Sequence, residues 1–487
     1  MNEKLNDALN EISDQHIAEA AKPRRRRQIY WIGAAAGVLV VAILVGTLYP
    51  LPVSPDIPNF SSPVGTENSY QLSNLVATPE YPQFSQYAHR SEFPDFDAYW
   101  VAHRAWQADQ MAQYDQPEGY TDNLTDFFHR SICNFLSGEE NQAYSPVNVY
   151  LAMAMLAESA AGSSRQQILD LLGASSIDNL RDQAGQVWNA HYANDGLTTL
   201  LLANSLWLDN AYSFRKDTVG TLADSYYVSV FHGDLGTDSM NQQLRDWLNA
   251  NTGNLLTEQA KKTKLSPQTV AALASTVYFS AQWDQKFFEK ATVSQVFHSP
   301  EGDMSTDFMM NTYLDYPYYW GADFGAVRLE LSGDNNMWLI LPDEGKTPQD
   351  LLSSGAFLTM AQAPGNWEQK ANYKVNLSLP KFDISSQADL VEGMKALGIT
   401  DVFSRDVANL SSLVEGGGVY INKIDHAVRV AIDEEGCIAA AYTVIEALVG
   451  GMPQEREVID FSLDRPFLFL VTSRDDLPLF AGVVTNP

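Results

Sequence analysis

A run of 21 residues without a charge, Ile29 to Tyr49 (IYWIGAAAGVLVVAILVGTLY), constrains this chain more than any other feature. At about 1.5 Å per residue a helix of that length spans about 30 Å, the thickness of a bilayer's hydrocarbon core. Arg24, Arg25, Arg26 and Arg27 stand directly before it, and Tyr30, Trp31 and Tyr49 sit at its ends. Basic flanks stay on the cytoplasmic side and aromatic rings favour the interface, so the expected topology is a single pass with a cytoplasmic N-terminus. A cleaved signal peptide is the rival reading. The length of the run, the long head before it and the lack of a small-x-small cleavage site weigh against that rival. The expected order is therefore a cytoplasmic segment (1–28), a transmembrane helix (29–49), an extracytoplasmic linker with an amphipathic helical segment (50–121) and a globular body (122–487) outside the cell, at the cell membrane.

Charge narrows the partners of that body. Six of the 31 basic and five of the 60 acidic residues lie in the first 28 positions, which leaves a net charge of −30 on everything after them. Such a surface repels nucleic acid and anionic lipid and keeps a chain soluble. With 45% hydrophobic residues the chain is globular rather than disordered. Two cysteines, Cys133 and Cys437, allow at most one bridge and are most simply read as plain buried thiols. No CxxC, HExxH or Cys/His cluster at zinc spacing occurs, so neither a metal nor a cofactor is expected. No GxSxG elbow occurs and no triad can be picked from the eight histidines, so the chain is not read as an enzyme.

From Pro50 to about Arg90 the composition is rich in Pro, Ser, Asn and Thr without a period, as expected of an extended linker holding the body off the membrane. After Pro94, the residues Phe96, Tyr99, Trp100, His103 and Trp106 fall at helical spacing; packing of this stripe on the body is the default expectation, with a partner site the alternative. In the body, Leu124, Phe127, Phe128, Ile132 and Phe135 line one helix face. Ser145-Pro146 then opens a second helix, VNVYLAMAMLAESAAG, apolar almost all round, as suits a helix at the centre of the protein. Strand-like runs TTLLLANSLWLD, NNMWLILP, NYKVNLSLPKF and FLFLVTS are scattered among further helical stretches, an α+β pattern without βαβ regularity or internal repeat.

Five blocks in order resemble the serpin family along residues 122–487. They are SPVNVYLAMAMLAESAAGSSRQQIL, ANSLWLDNAYSF, LASTVYFSAQWDQKFFEKATVSQVF, LPKFDISSQADLVEGMKALGITDVF and DRPFLFLVTSRDDLPLFAGVVTNP. The resemblance implies three β-sheets with eight to nine helices, an exposed reactive-centre loop and a monomeric inhibitor of serine proteases. It places Trp283 at the top of the main sheet, where the loop first enters. It assigns Ser145 and His426 to the polar cluster holding the central strands, with Ser275 and Asn148 replacing that cluster's usual asparagine and one of its serines. It reads Glu434, Glu435, Gly436, Cys437, Ile438, Ala439, Ala440, Ala441, Tyr442 and Thr443 as the hinge of the loop. A few bacterial-type traits, a single-pass anchor and few cysteines, suit a bacterial surface.

Taken alone, EEGCIAAAYTVIEALVGGMP reads as a helix stopped by Gly450 and Gly451. As an inserting strand it must segregate its side chains, because alternate residues share a face. One set, Cys437, Ala439, Ala441, Thr443, Ile445 and Ala447, carries no charge; the other contains Glu446. Ile438 and Tyr442, which depart from the family's usual hinge residues, lie on that outward set. Counting seventeen residues from Glu434 ends at Gly450. Leu448, Val449, Gly450, Gly451 and Met452 are the scissile-bond candidates, pointing to elastase-like or subtilisin-like targets, whereas Arg456 lies well downstream. A non-inhibitory serpin acting as a binding or structural surface module is the alternative, and a plain exposed linker is the alternative for VIEALVGGMPQERE.

Overall fold

In the computed structural model, the residues described are 74–87, 89–137, 139–437 and 456–487. Residues 29–49 lie outside them. Among the described residues no helix is long and apolar enough to cross a membrane.

The segment before the body is more than a linker. From Asn74 on it is packed: β1 (Leu75–Ala77) adds an edge strand to the main sheet, and α1 (Phe96–Tyr114) starts at Asp95, whose carboxylate accepts from Ala98 N at 2.8 Å. Composition misleads here because a few aromatic anchors, Tyr81 and Phe84 among them, do the packing without any period. The stripe on α1 is also only partly used. Phe96 and Trp100 are exposed, while Gln110 and Gln113 face the body.

The body opens with α2 (Leu124–Phe135), which buries Leu124, Phe127, Phe128 and Ile132. In α3 (Pro146–Ser159) every residue but Ala152 is buried, so the all-round apolar run does lie in the centre. Ser145 caps α3, and Pro146 occupies the position where a missing N–H costs nothing. α4 (Gly162–Leu172) and α5 (Ile177–His191) follow. α6 (Lys216–Tyr226) and α7 (Asp238–Ala250) come after the first long strand. Leu244 and Trp247 of α7 close the sheet's outer face over a stacked pair, Trp207 on Phe231 at 4.0 Å.

The main sheet runs β1, β5 (Val228–Gly233), β4 (Thr198–Asp209), β6 (Ala271–Gln282), β14 (Gly436–Cys437), β13 (Asp425–Ile432), β12 (Phe382–Asp389), with β3 (Ala193–Asn194) beside β4. The second sheet runs β15 (Val458–Ser462), β11 (Lys370–Pro380), β8 (Gly302–Trp320), β9 (Phe324–Leu331), β10 (Asn335–Pro342), β16 (Phe467–Thr472), β17 (Pro478–Val484), β2 (Gln142–Tyr144), with β7 (Val293–Ser299) beside β8. The strand-like runs TTLLLANSLWLD and NNMWLILP coincide with β4 and β10. Two hydrogen-bonded sheets, not the expected three, and eleven α-helices, not eight to nine, are present among the described residues. The 19-residue β8 is the reason for the first difference, since it runs on from one layer to the next and joins them. Helix α1, ahead of the body, accounts for part of the second.

Candidate functional site

The two central strands of the main sheet, β6 and β13, are bridged at one end by the two residues of β14. Gly436 pairs with Gln282, and Cys437 with Ala281 on one side and Ile432 on the other. Below that pair β6 and β13 share no hydrogen-bonded neighbour among the described residues, which leave a slot in the sheet. A cavity of about 250 Å³ passes through it. Asn148 and Met153 of α3 line it from the core side, Leu244 and Leu248 of α7 from the outer side, and Ala274 and His426 from the two strands.

A tight turn holds β14 in place. Asp433 Oδ1 accepts from Glu435 N at 2.9 Å and Gly436 N at 3.2 Å, and Asp433 N donates to Gly436 O. Trp283, 3% exposed, donates from Nε1 to Asp433 O at 2.8 Å and from its backbone N to Glu435 O at 3.0 Å. Glu434 Oε1 meets Lys381 Nζ at 2.7 Å and Thr292 Oγ1 at 2.6 Å. Burial opposes ionisation of Glu434, but these partners outweigh it and hold its carboxyl below the usual range. Glu435 pairs with Lys286 at 2.6 Å. Gly436 is required by close approach: a Cβ there would lie 2.2 Å from Ala281 O. The Cys437 thiol is 2% exposed and core-facing, and burial with the nearby Asp433 pushes its pKa up to about 12, which keeps it protonated and unreactive. Both cysteines are free thiols; Cys133 is half-buried.

Halfway down the slot Ser145, Asn148, Ser275 and His426 lie in one polar cluster. Ser145 N donates to His426 Nε2 at 3.1 Å, and Ser145 Oγ donates to Leu479 O at 2.7 Å. Ser275 Oγ lies against Asn148 Oδ1 and 2.8 Å from Asn204 Oδ1, its one proton serving a single acceptor at a time. Asn204 in turn donates to Tyr226 O at 3.0 Å. Burial pushes the His426 pKa down to about 4, so the ring is neutral and accepts from Ser145. Asn204 was not anticipated; the signal that marks it is an amide inside the otherwise apolar run TTLLLANSLWLD, a group that must find partners when buried.

Of the predicted hinge, Glu434, Glu435, Gly436 and Cys437 are placed as described. Ile438, Ala439, Ala440, Ala441, Tyr442 and Thr443 lie outside the described residues, as do Leu448, Val449, Gly450, Gly451 and Met452. Arg456 pairs with Asp315 at 3.1 Å, so downstream of the candidates the chain is already tied to β8.

Comparison with known proteins agrees with this geometry. The sequence model of a family described as Serpin (serine protease inhibitor) matches residues 125–487. Serpin-ZX of Arabidopsis thaliana is 28% identical over 378 residues, covering 74% of this chain and 95% of its own. The leukocyte elastase inhibitor of Equus caballus is 26% identical over 354 residues, covering 70% and 92%. The crystal structure of tengpin, a thermophilic serpin in the native state, superposes with a TM-score of 0.68 at 25% identity, covering 76% of this chain and 95% of that one.

Proposed function

The chain belongs to the serpin family, and we propose that it inhibits a serine-type endopeptidase as a suicide substrate: the loop is cut, slides into the slot and carries the acylated enzyme with it. The observation that supports this is β14, a strand already started between β6 and β13, with no further strand between those two among the described residues. Extending the register of Cys437 on Ala281 and Ile432 places Ala439 beside Phe279 and Val430, and Ala441 beside Val277 and Val428. Thr443 then falls between Ser275 and His426, so the polar residue of the inward set arrives at the polar cluster and the apolar ones arrive at apolar strands. Insertion satisfies backbone groups on both edges of the lane. Dragging the acyl-enzyme across the molecule distorts its catalytic geometry, and deacylation depends on sub-ångström placement of nucleophile and oxyanion donors.

Leu448, Val449, Gly450, Gly451 and Met452 carry the scissile bond in this reading, and elastase-like or subtilisin-like enzymes with apolar primary pockets are the targets. Residues 29–49 anchor the protein in the cell membrane by a single pass, with residues 1–28 cytoplasmic and the inhibitory body, a monomer, outside. The test is incubation of the full chain with elastase-like, subtilisin-like and trypsin-like proteases, followed by denaturing electrophoresis. A denaturant-resistant complex with one of the first two is expected. Cleavage with no such complex for any enzyme would sink the inhibitor and leave a non-inhibitory surface module.

A further inference from the structure

Ahead of the family-matched region, residues 74–120 grip one half of the main sheet along its whole edge. β1 pairs with β5, and His232 N donates to Asn74 O at 2.9 Å. The Tyr81 ring packs 5.4 Å from Tyr192 and 5.9 Å from Trp188. Tyr87 N then donates to Asp195 O at 2.5 Å. On α1, Trp106 Nε1 and Gln110 Nε2 each donate to Asp195 Oδ2 at 2.8 Å, while Leu197 N and Thr198 N donate to Oδ1 at 3.0 and 2.7 Å. Asp195 is 2% exposed, so this carboxylate is carried by four N–H donors, two of them from outside the matched fold.

Asp195 sits at the end of the sheet where the loop enters. Thr198 pairs with Ala281, and Ala281 pairs with Cys437. Thr198 Oγ1 donates to Ser332 Oγ at 3.0 Å, and Ser332 Oγ accepts from Gln282 N at 3.1 Å. A continuous polar chain thus runs from α1 through Asp195, Thr198 and Ser332 to the top of β6. The far side of the same segment holds the second sheet: Arg474, between β16 and β17, stacks 3.3 Å above the Tyr114 ring, and Tyr120 donates to Asp475 Oδ2 at 2.5 Å.

We infer that residues 74–120 are a clamp on the opening of the main sheet. β6 and β13 approach within 8 Å of each other, whereas a strand between them needs two strand spacings, about 9.6 Å, so the block β1–β5–β4–β6 must move relative to β13 and the second sheet. α1 ties the end of that block, through Asp195, to the β16–β17 turn, and the block cannot shift without breaking one attachment or the other. The inference rests on the slot being the lane for a strand.

The experiment measures lane opening without any protease. A synthetic peptide with the sequence of residues 437–448 is annealed to the full chain, and incorporation is followed by native electrophoresis and by gain of heat resistance. The double variant Trp106→Phe, Gln110→Leu removes both donors to Asp195 Oδ2 while keeping an aromatic and an aliphatic side chain in their places, and Phe96→Ala alters an exposed ring on the same helix. Annealing about tenfold faster or more in the double variant, with Phe96→Ala within about twofold of wild type, is expected. Circular dichroism and a native thermal transition establish that each variant is folded. Equal rates in folded double variant and wild type would overturn the clamp alone. Annealing in neither would overturn the lane itself, and the clamp with it.

Discussion

His426 carries its effect through protonation, because its neutral ring is the acceptor that Ser145 N needs inside the slot. With its folded pKa near 4 and its ordinary value 6.5, the unfolded chain binds the extra proton between those values and the folded chain does not. Stability is therefore full above about pH 6.5 and lost as the pH falls towards 4, by on the order of 3 kcal/mol from this group. The urea midpoint of the wild type should drop more between pH 7.5 and 5 than that of His426→Gln, whose side-chain oxygen can still accept from Ser145. Parallel drops would mean that His426 is not held neutral. Next to it, Ser275→Ala should cost about 1–3 kcal/mol, read from the same midpoints, because it removes the one hydroxyl proton shared between two buried amide oxygens, those of Asn148 and Asn204. Ser145, Asn148 and Ser275 were legible through the blocks that contain them, and His426, which lies between two blocks, through the family resemblance as a whole. Asn204 and Asp195 were not: the first lies within a block but in an apolar strand run that gives it no role, and the second in a stretch, ANDG, that reads as an ordinary turn. What makes each matter is a partner distant in the chain, Ser275 for one and Trp106 for the other.

Among elements, legibility followed periodicity and burial. β4 and β10 coincide with apolar runs because both faces of those strands are covered, and α3 with a run apolar on all sides for the same reason. The segment 74–94 was illegible because its contacts come from single aromatic residues in irregular chain, a composition shared with true linkers. At the start of the hinge, local propensity is overruled: within a run that reads as helix, Asp433 folds Glu435 and Gly436 into a turn, and Gly436 and Cys437 pair with the edges of β6 and β13. If the strand continues in that register, Ala441 faces the core between Val277 and Val428. An arginine there would have to bury its charge without a partner, which costs several kcal/mol. Ala441→Arg should therefore turn the inhibitor into a substrate, with cleaved chain accumulating and the denaturant-resistant complex reduced about tenfold or more. Undiminished complex would show that the inward and outward sets are exchanged.

At the scale of the whole molecule, a slot that the described residues leave in the middle of a sheet would, if empty before cleavage as the proposed mechanism requires, hold stability in reserve. Ten residues, 438–447, are enough to run opposite the rest of β6 from Ser280 to Ala271 in the register of β14. At about 1 kcal/mol or more for each apolar side chain buried, plus backbone pairing on two edges, filling it is worth on the order of 10 kcal/mol. For a body of this size that corresponds to a rise in Tm of about 10–15 °C. In the proposed mechanism the gain is withheld until the loop is cut, the described chain being tethered on either side of it, by β14 before it and by Arg456 and β15 after it. A metalloprotease that cuts within 438–455 isolates this step, because it attacks with metal-bound water, forms no acyl-enzyme and so cannot be trapped. Scans at one fixed rate should show the cut chain melting about 10–15 °C above the intact one. Ala441→Arg, cut in the same way, should gain much less. A cut wild-type chain melting with the intact one would mean that the slot is not filled, whatever complexes the protein forms.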